Sequence, residues 1–240
     1  MTDIPKSHPR YLSLKMRESL VKGVEEGITS KAGLIAHGRG EMFDYLIGEE
    51  TIKTAKLAER KAIAEMLEAE NPVISINGNV AALVPEEIVE LGERLNAKLE
   101  VNLFHRTDDR INKIKKSLEK HGAEKVYGLD PDEEIPGLDH KRALCSHDGI
   151  YTSDVVLVPL EDGDRSQALK EMGKKVITID LNPLSRTSKT ADITIVDNIS
   201  RAVPNMIESE PLYEDFDNEE NLKETLHFMS ERLKNLSEEI

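Results

Sequence analysis

Six short apolar runs, rich in β-branched residues, constrain the fold of this 240-residue chain more than any other feature. They cover residues 73–76, 99–103, 125–129, 154–158, 176–179 and 193–196. Polar, helix-like stretches separate them, and successive runs start roughly 17 to 30 residues apart, as in strand, crossover helix, strand units. Nearly continuous apolar runs are typical of parallel strands covered on both faces. The sequence therefore predicts an α/β fold, a Rossmann-like doubly wound sheet that is mainly parallel.

Different patterns flank this core. Residues 1–70 read as an N-terminal helical region, 71–207 as the Rossmann-like core, and 208–240 as an acidic segment with a C-terminal helix, all in one compact domain. Within the helical region, the glycine-bearing segment 31–40 has no clear period, which predicts a loop. The last helix is amphipathic and should dock on its own domain rather than on a partner subunit. Its apolar positions are Leu222, Leu226, Met229, Leu233 and Leu236.

Three helix starts can be placed from local signals. Pro85 with two following glutamates suits a first helical turn. Thr107 before two aspartates is a candidate N-cap. Ser166 is a candidate cap for the helix that ends near Gly173.

Charge and composition exclude several functions. The net charge of -14 opposes binding of nucleic acid phosphates. No apolar run reaches the roughly 20 residues of a membrane span, and the N-terminus lacks the apolar segment of a signal peptide. Cys145 is the single cysteine, so no intrachain disulfide is possible and a cytoplasmic location is favoured. The histidines show no metal-ligand spacing, so we expect no metal site built from protein ligands.

A ligand site is expected beyond the carboxyl ends of the strands, where open parallel sheets bind ligands. Polar residues follow every run, among them Asn77, Asn79 and Asp180. Arginines in four predicted loops indicate an anionic ligand; they are Arg39, Arg106, Arg165 and Arg186. Familiar phosphate motifs are missing: Gly38-Arg39-Gly40 starts like a dinucleotide fingerprint, but Phe43 replaces its last glycine and no strand precedes it. The residues alone leave open a Rossmann-type nucleotide-binding module and an ATP ligase.

Long segments resemble one family. IPKSHPRYLSL, KAGLIAHGRGEMFDYLIGE, NPVISINGNVAALVPEEIVEL, KLEVNLFHRT, DVVLVPLEDGDRSQAL and VITIDLNPLSRTS look like the archaeal phosphopantothenate synthetases, the 4-phosphopantoate–β-alanine ligases. The resemblance runs from about residue 4 to residue 207. It implies a homodimer in coenzyme A biosynthesis that uses ATP, Mg²⁺, 4-phosphopantoate and β-alanine. An acyl-adenylate would form 4'-phosphopantothenate and release AMP and pyrophosphate. A ligase with a different acid and amine is the remaining alternative.

The resemblance also implies site residues. The positions that match ATP contacts are Arg17, Arg39, Asp180, Leu181, Asn182, Arg186, Thr187, Asn198 and Ile199. Arg17 and Arg39 would have to fold over the sheet or reach across a dimer interface. For phosphopantoate we expect cationic and amide side chains in predicted loops, namely Lys31, His37, Asn77, Asn79 and Arg106. Asp162 or Asp164 is the candidate base for the amine, and Arg186 is expected to act in catalysis.

Overall fold

Six parallel strands form the central sheet of the computed structural model, which describes residues 4–139 and 141–239. They are β1 (Val73–Ile76), β2 (Lys98–Val101), β3 (Val126–Tyr127), β6 (Val155–Leu157), β7 (Lys175–Ile179) and β8 (Ile193–Ile195). Their spatial order is β3-β2-β1-β6-β7-β8, and every neighbouring pair is parallel. The chain therefore winds outward in both directions from β1 and β6. All six predicted strands and the doubly wound fold are confirmed.

A small antiparallel pair, β4 (Glu133–Glu134) with β5 (Leu144–Cys145), was not predicted. Strands of two residues are too short to show the alternation by which strands are recognised in a sequence.

Ten α-helices surround the sheet in the described part of the chain. They are α1 (Tyr11–Glu25), α2 (Lys31–Ile47), α3 (Lys53–Glu68), α4 (Gly78–Leu83), α5 (Pro85–Arg94), α6 (Asp108–Lys120), α7 (Gly163–Glu171), α8 (Arg186–Thr190), α9 (Ile199–Glu208) and α10 (Asn218–Glu239). Pro85 begins α5 and Thr107 caps α6, as predicted. The prediction for Ser166 was wrong, because α7 starts after Asp162 and Ser166 lies inside it. Asp164 in the first turn supplies a negative charge that favours this earlier start.

The predicted loop at 31–40 was also wrong, because this segment forms the first part of α2. Ser30 caps the helix, its hydroxyl accepting a hydrogen bond from the Gly33 N–H at 3.2 Å. A β-carbon at Gly33 would collide with the side chains of Asn79 and Thr29, so glycine is required there by close packing. Glycine in a helix costs about 1 kcal/mol relative to alanine, and tertiary contacts offset that cost here.

The apolar core lies on both faces of the sheet, and α10 docks beside it. Leu222 and Met229 are buried with Ile47 of α2 and Val196 after β8, which confirms that the helix packs on its own domain. The last turns of α10 are less buried, since the side chain of Leu233 remains 47% exposed. Among the described helices, none is both long and apolar enough to cross a membrane.

Candidate functional site

Two adjoining cavities open at the carboxyl edge of the sheet, where the winding reverses between β1 and β6. The smaller has a volume of about 300 Å³ and the larger about 450 Å³. They share a wall formed by five residues, which we call the shared wall: Ala36, Asn79, Leu160, Glu161 and Asp162. In doubly wound sheets this crevice is the usual ligand site. Two ligands bound in these cavities would therefore meet at the shared wall.

The larger cavity contains the turn that follows β7. Asp180 accepts hydrogen bonds from the Asn182 N–H at 2.9 Å and from the Ser185 hydroxyl at 2.5 Å. Burial raises the pKa of Asp180. Thr187 donates its hydroxyl hydrogen to the Glu161 carbonyl at 2.7 Å and so ties this turn to the shared wall. The arrangement presents carboxylate and amide oxygens, which suit a ribose or a base.

Two arginines from different helices line the same cavity. Arg39 comes from α2 and Arg186 from the start of α8, so both lie on helices and not in the predicted loops. Both are exposed, and neither has a hydrogen bond or ion pair within the described ranges. A β-carbon at Gly163 would lie 2.5 Å from Arg186 Cγ, so glycine gives that side chain room. Two uncompensated guanidinium groups facing one cavity fit a phosphate chain.

His37 joins the arginines on the wall of the larger cavity. Its Nε2 atom is buried and makes no hydrogen bond to any described residue. Burial lowers the pKa of the ring, which favours the neutral imidazole. A ring in this state could donate or accept one hydrogen bond to a ligand.

The smaller cavity is lined by amides that are already fixed. The Asn77 side chain caps α4 and also donates to the carbonyls of Pro159 and Leu160 at 2.9 and 3.1 Å. Asn79 accepts from the Thr29 hydroxyl at 2.5 Å and donates to the Gly33 carbonyl at 3.0 Å. These bonds lock α4, α2 and the end of β6 around the cavity.

Arg110 lines the smaller cavity and was missed in the sequence. It lies in the first turn of α6, where the helix dipole disfavours a cation. This unfavourable position of a cation was the feature of the sequence that could have indicated a functional role for Arg110. His105 and Phe104, from the loop after β2, line the same cavity, and their rings pack edge to face at 4.9 Å.

Acidic residues of the shared wall are held by two buried arginines. Glu161 pairs with Arg165 at 2.5 Å, and Arg165 is fully buried against the Ser75 hydroxyl at 3.1 Å. Arg142, missed in the sequence, contacts Asp162 at 2.7 Å and also pairs with Asp164. Arg165 was predicted in a loop but lies in α7 and points into the protein. Of the two candidate bases, Asp162 lines both cavities and Asp164 lines neither.

Besides Asp164, five residues assigned to the site in the sequence lie outside both cavities. Arg106 is buried and donates to the Gly128 carbonyl at 2.6 Å. Arg17 is paired with Glu41 at 2.9 Å, and Lys31 is exposed at the start of α2. The Asn198 amide donates to Asp44 at 2.9 Å, and Ile199 is in the core. Leu181, by contrast, lines the larger cavity.

The described residues form neither a preformed protein metal cage nor a reactive thiol. Within residues 4–139 and 141–239, no group of three or more His, Cys, Asp or Glu side chains is placed to hold a metal ion. Cys145 is buried, and burial raises the pKa of its thiol to about 12. A thiol in this state is a poor nucleophile.

Comparison with known proteins assigns a family. The family model described as phosphopantothenate/pantothenate synthetase matches residues 54–240. A relative from Thermococcus kodakarensis, named 4-phosphopantoate–β-alanine ligase, is 59% identical over 93% of this chain and 86% of its own. A protein of the same name from Methanosarcina mazei is 55% identical over 100% of this chain and 99% of its own. The Methanosarcina match spans the whole cleft, whereas the family model begins at residue 54, after α2.

Proposed function

The chain belongs to the phosphopantothenate/pantothenate synthetase family, and we propose that it joins 4-phosphopantoate to β-alanine through an acyl-adenylate. It is a 4-phosphopantoate–β-alanine ligase, a C–N bond-forming enzyme of coenzyme A biosynthesis. The observation that carries the proposal is the pair of cavities that meet at one wall, since ATP-driven condensation needs a nucleotide and an acid to meet end to end. The choice of an adenylate over an acyl phosphate follows the family resemblance.

We assign ATP to the larger cavity. Asp180 and Asn182 suit the ribose and base, while Arg39 and Arg186 suit the phosphates, with Leu181 and Thr187 completing the wall. The two arginines offset the repulsion between the anionic acid and the phosphate chain. They also face the negative charge that grows on the phosphoryl oxygens in the transition state, where preorganised donors are most effective.

We assign 4-phosphopantoate to the smaller cavity, with its carboxylate at the shared wall near Asn79. A carboxylate oxygen bonds to the α-phosphorus of ATP, and the bond from that phosphorus to the bridging oxygen breaks, releasing pyrophosphate. The β-alanine nitrogen then bonds to the acyl carbon, and AMP leaves with the former carboxylate oxygen. The product is 4'-phosphopantothenate. Asn77 and Asn79 orient the acid, and His37 lies where it can contact the transferred group.

The amine must be neutral to attack, so its proton needs an acceptor. Asp162 meets this need, because its side chain is 64% exposed and lines both cavities. Arg142 holds this carboxylate in place through the 2.7 Å ion pair. Asp164 is bound to the same arginine but does not line either cavity, so we assign it a supporting role.

Mg²⁺ fits this cleft as a companion of ATP. It usually binds substrate phosphates, water and one or two carboxylates rather than a dedicated protein cage. Asp162 is the exposed carboxylate of the shared wall that is available for such a contact. When bound, the ion would neutralise phosphate charge, while the arginines of this chain orient the phosphates.

A homodimer would account for two of the assigned residues that do not reach the cleft, Arg17 and Lys31. The apolar side chains of Leu12, Ile35 and Met42 on α1 and α2 are 66%, 68% and 58% exposed. Arg17 and Lys31 lie on the same two helices, so pairing across this face would bring them towards a second cleft. Light scattering supports the dimer if the mass is twice 26.9 kDa and opposes it if the mass is that of one chain.

The test is turnover of purified protein with ATP, Mg²⁺, 4-phosphopantoate and β-alanine. Phosphopantothenate and AMP in equal amounts support the ligase and the adenylate. Phosphopantothenate with ADP keeps the ligase but replaces the adenylate with an acyl phosphate. Neither product, from folded protein that ATP still stabilises, would contradict the proposal and favour a nucleotide-binding module.

A further inference from the structure

Arg110 is held at the smaller cavity by backbone oxygens alone. Its Nη1 donates to the His105 carbonyl at 2.6 Å and its Nη2 to the Ile28 carbonyl at 3.1 Å. Gly78 allows this position, because a β-carbon there would lie 3.0 Å from Arg110 Nη2. The guanidinium is therefore fixed in place before any ligand binds.

No acidic side chain of the described residues forms an ion pair with Arg110. Its Nε atom is buried without a hydrogen-bond partner among them. Burial lowers the pKa of this guanidinium, and no neighbouring charge contributes to the shift. The acids that share the cavity, Glu161 and Asp162, are already paired with Arg165 and Arg142. A fixed cation without a counter-charge, in a chain of net charge -14, indicates that an anion completes the site.

The remaining lining of this cavity is suited to one end of a short branched acid. Arg110 and His105 line only the smaller cavity, so they lie away from the nucleotide cavity. The apolar side chains that line the smaller cavity are Ala32, Ala36, Leu103, Phe104 and Leu160, and two of them, Ala36 and Leu160, belong to the shared wall. With the carboxylate of phosphopantoate at the shared wall, its two methyl groups would contact this apolar lining. Its phosphate would then lie at the other end of the cavity.

We propose that Arg110, with His105 beside it, binds the 4-phosphate of phosphopantoate and so selects the phosphorylated acid over pantoate. This inference rests on the proposed function. The guanidinium offers a planar set of donors that matches phosphate oxygens. The backbone bonds that already orient it reduce the entropy lost when the ligand binds.

The experiment compares two acids in one protein preparation. Wild type, Arg110→Gln and Arg110→Lys are assayed for kcat/KM with 4-phosphopantoate, and the dissociation constants of 4-phosphopantoate and pantoate are measured by calorimetry. We expect Arg110→Gln to weaken phosphopantoate binding about 100-fold, as for the loss of a partner from a buried charged pair. Pantoate binding should stay within a factor of about three, since the phosphate contact is not made. Arg110→Lys should show an intermediate loss, because it keeps the charge without the planar fork.

Lys116→Gln is the matched control, because Lys116 is an exposed cation on the same helix and does not line the cavity. It should leave both dissociation constants unchanged. Comparing two acids on one preparation removes the effect of any misfolded fraction, and circular dichroism reports the melting temperature of each variant.

Two results would overturn the inference while leaving the ligase intact. One is an equal loss of affinity for both acids in Arg110→Gln, which would make Arg110 a structural residue. The other is an increase in the KM for ATP with phosphopantoate affinity retained, which would assign Arg110 to the nucleotide phosphates. Failure of the wild type to form product would instead contradict the proposed function.

Discussion

The rim and the interior of the same cleft use arginine in opposite ways. On the rim, Arg39 and Arg186 are exposed and have no carboxylate partner in the described part of the chain. Beneath the shared wall, Arg142 and Arg165 are buried to 7% and 0% exposure and pair with acids of the 161–164 segment. Position at the carboxyl edge therefore does not by itself make an arginine a ligand. Only a cation that the protein leaves unpaired is available for an anion.

The paired arginines fix the segment that both substrates would contact. Residues 161–164 follow β6 at the switch point and must turn into α7. Glu161 faces Arg165 within α7, while Asp162 and Asp164 face Arg142 from the turn before β5. Ion pairs across two parts of the chain hold the shared wall in one geometry, which is what a site for two reactants requires.

The largest effect is expected from Arg165→Met. It should lower the free energy of unfolding by about 3 to 5 kcal/mol, because Glu161 and Ser75 lose a buried partner. Urea denaturation followed by circular dichroism measures this difference. Arg186→Met, the same chemical change at the rim, is the control and should leave stability nearly unchanged. Similar losses for both variants would remove the distinction between the two classes of arginine.

For turnover, a large effect is expected from the exposed arginine, which matters little for stability. Arg186→Ala should lower kcat/KM about 100-fold, as for the loss of one donor to a transition-state oxyanion, with the fold intact. Coupled measurement of AMP release gives the rate, and the unfolding curve gives the stability. An unchanged rate would exclude Arg186 from the site.

A buried acid without an arginine partner sharpens the contrast. Glu59 is 1% exposed, and its one hydrogen bond to the described residues is accepted from the Asn205 amide at 3.2 Å. Burial raises its pKa from 4.5 to about 8. Its contribution to stability is present in full below pH 4.5 and is lost as the pH rises through about 8, because the unfolded chain ionises first. Glu59→Gln should therefore be the more stable protein at pH 9, by at most about 5 kcal/mol, and less sensitive to pH. Parallel pH profiles for the two proteins would contradict this.

The smallest expected effect is on turnover, and it distinguishes the two candidate bases, Asp162 and Asp164. Asp162→Asn should slow turnover about 10-fold, less than a buried general base would, because water can also accept the proton at this exposed position. Asp164→Asn should change the rate by less than about threefold, since it keeps a neutral partner beside Arg142 and does not line the cavities. Initial rates at saturating ATP measure both. A larger loss for Asp164→Asn would reverse their roles.

The sheet could be predicted from the sequence because buried parallel strands are marked by continuous β-branched runs. Val73–Ile76 matched without error, and Asn77, Asn79, Asp180 and Arg186 line the cavities as expected for residues that follow strands. Position after a strand is encoded locally, so a single sequence reveals it. The direction in which a side chain points from a helix or turn depends on tertiary packing.

The directions in which the side chains of Arg106 and Arg110 point could not be predicted from the sequence. Both follow β2 within a few residues, yet Arg106 turns inward to the Gly128 carbonyl and Arg110 lines the cavity. The partners that decide this, Gly128 and Ile28, are distant in the chain. Likewise, three glycines concealed the first turns of α2, because the packing that requires Gly33 involves Asn79 from another helix.

The meeting of two substrates at the shared wall is tested most directly with 4-phosphopantoate labelled by oxygen-18 in its carboxylate. One turnover with unlabelled ATP and β-alanine is followed by mass spectrometry of the nucleotide product. The account predicts AMP that carries one labelled oxygen, because the carboxylate oxygen bonds to the α-phosphorus and leaves with it. Unlabelled AMP, or ADP with the label in inorganic phosphate, would contradict the adenylate and the placement of the α-phosphate at that wall.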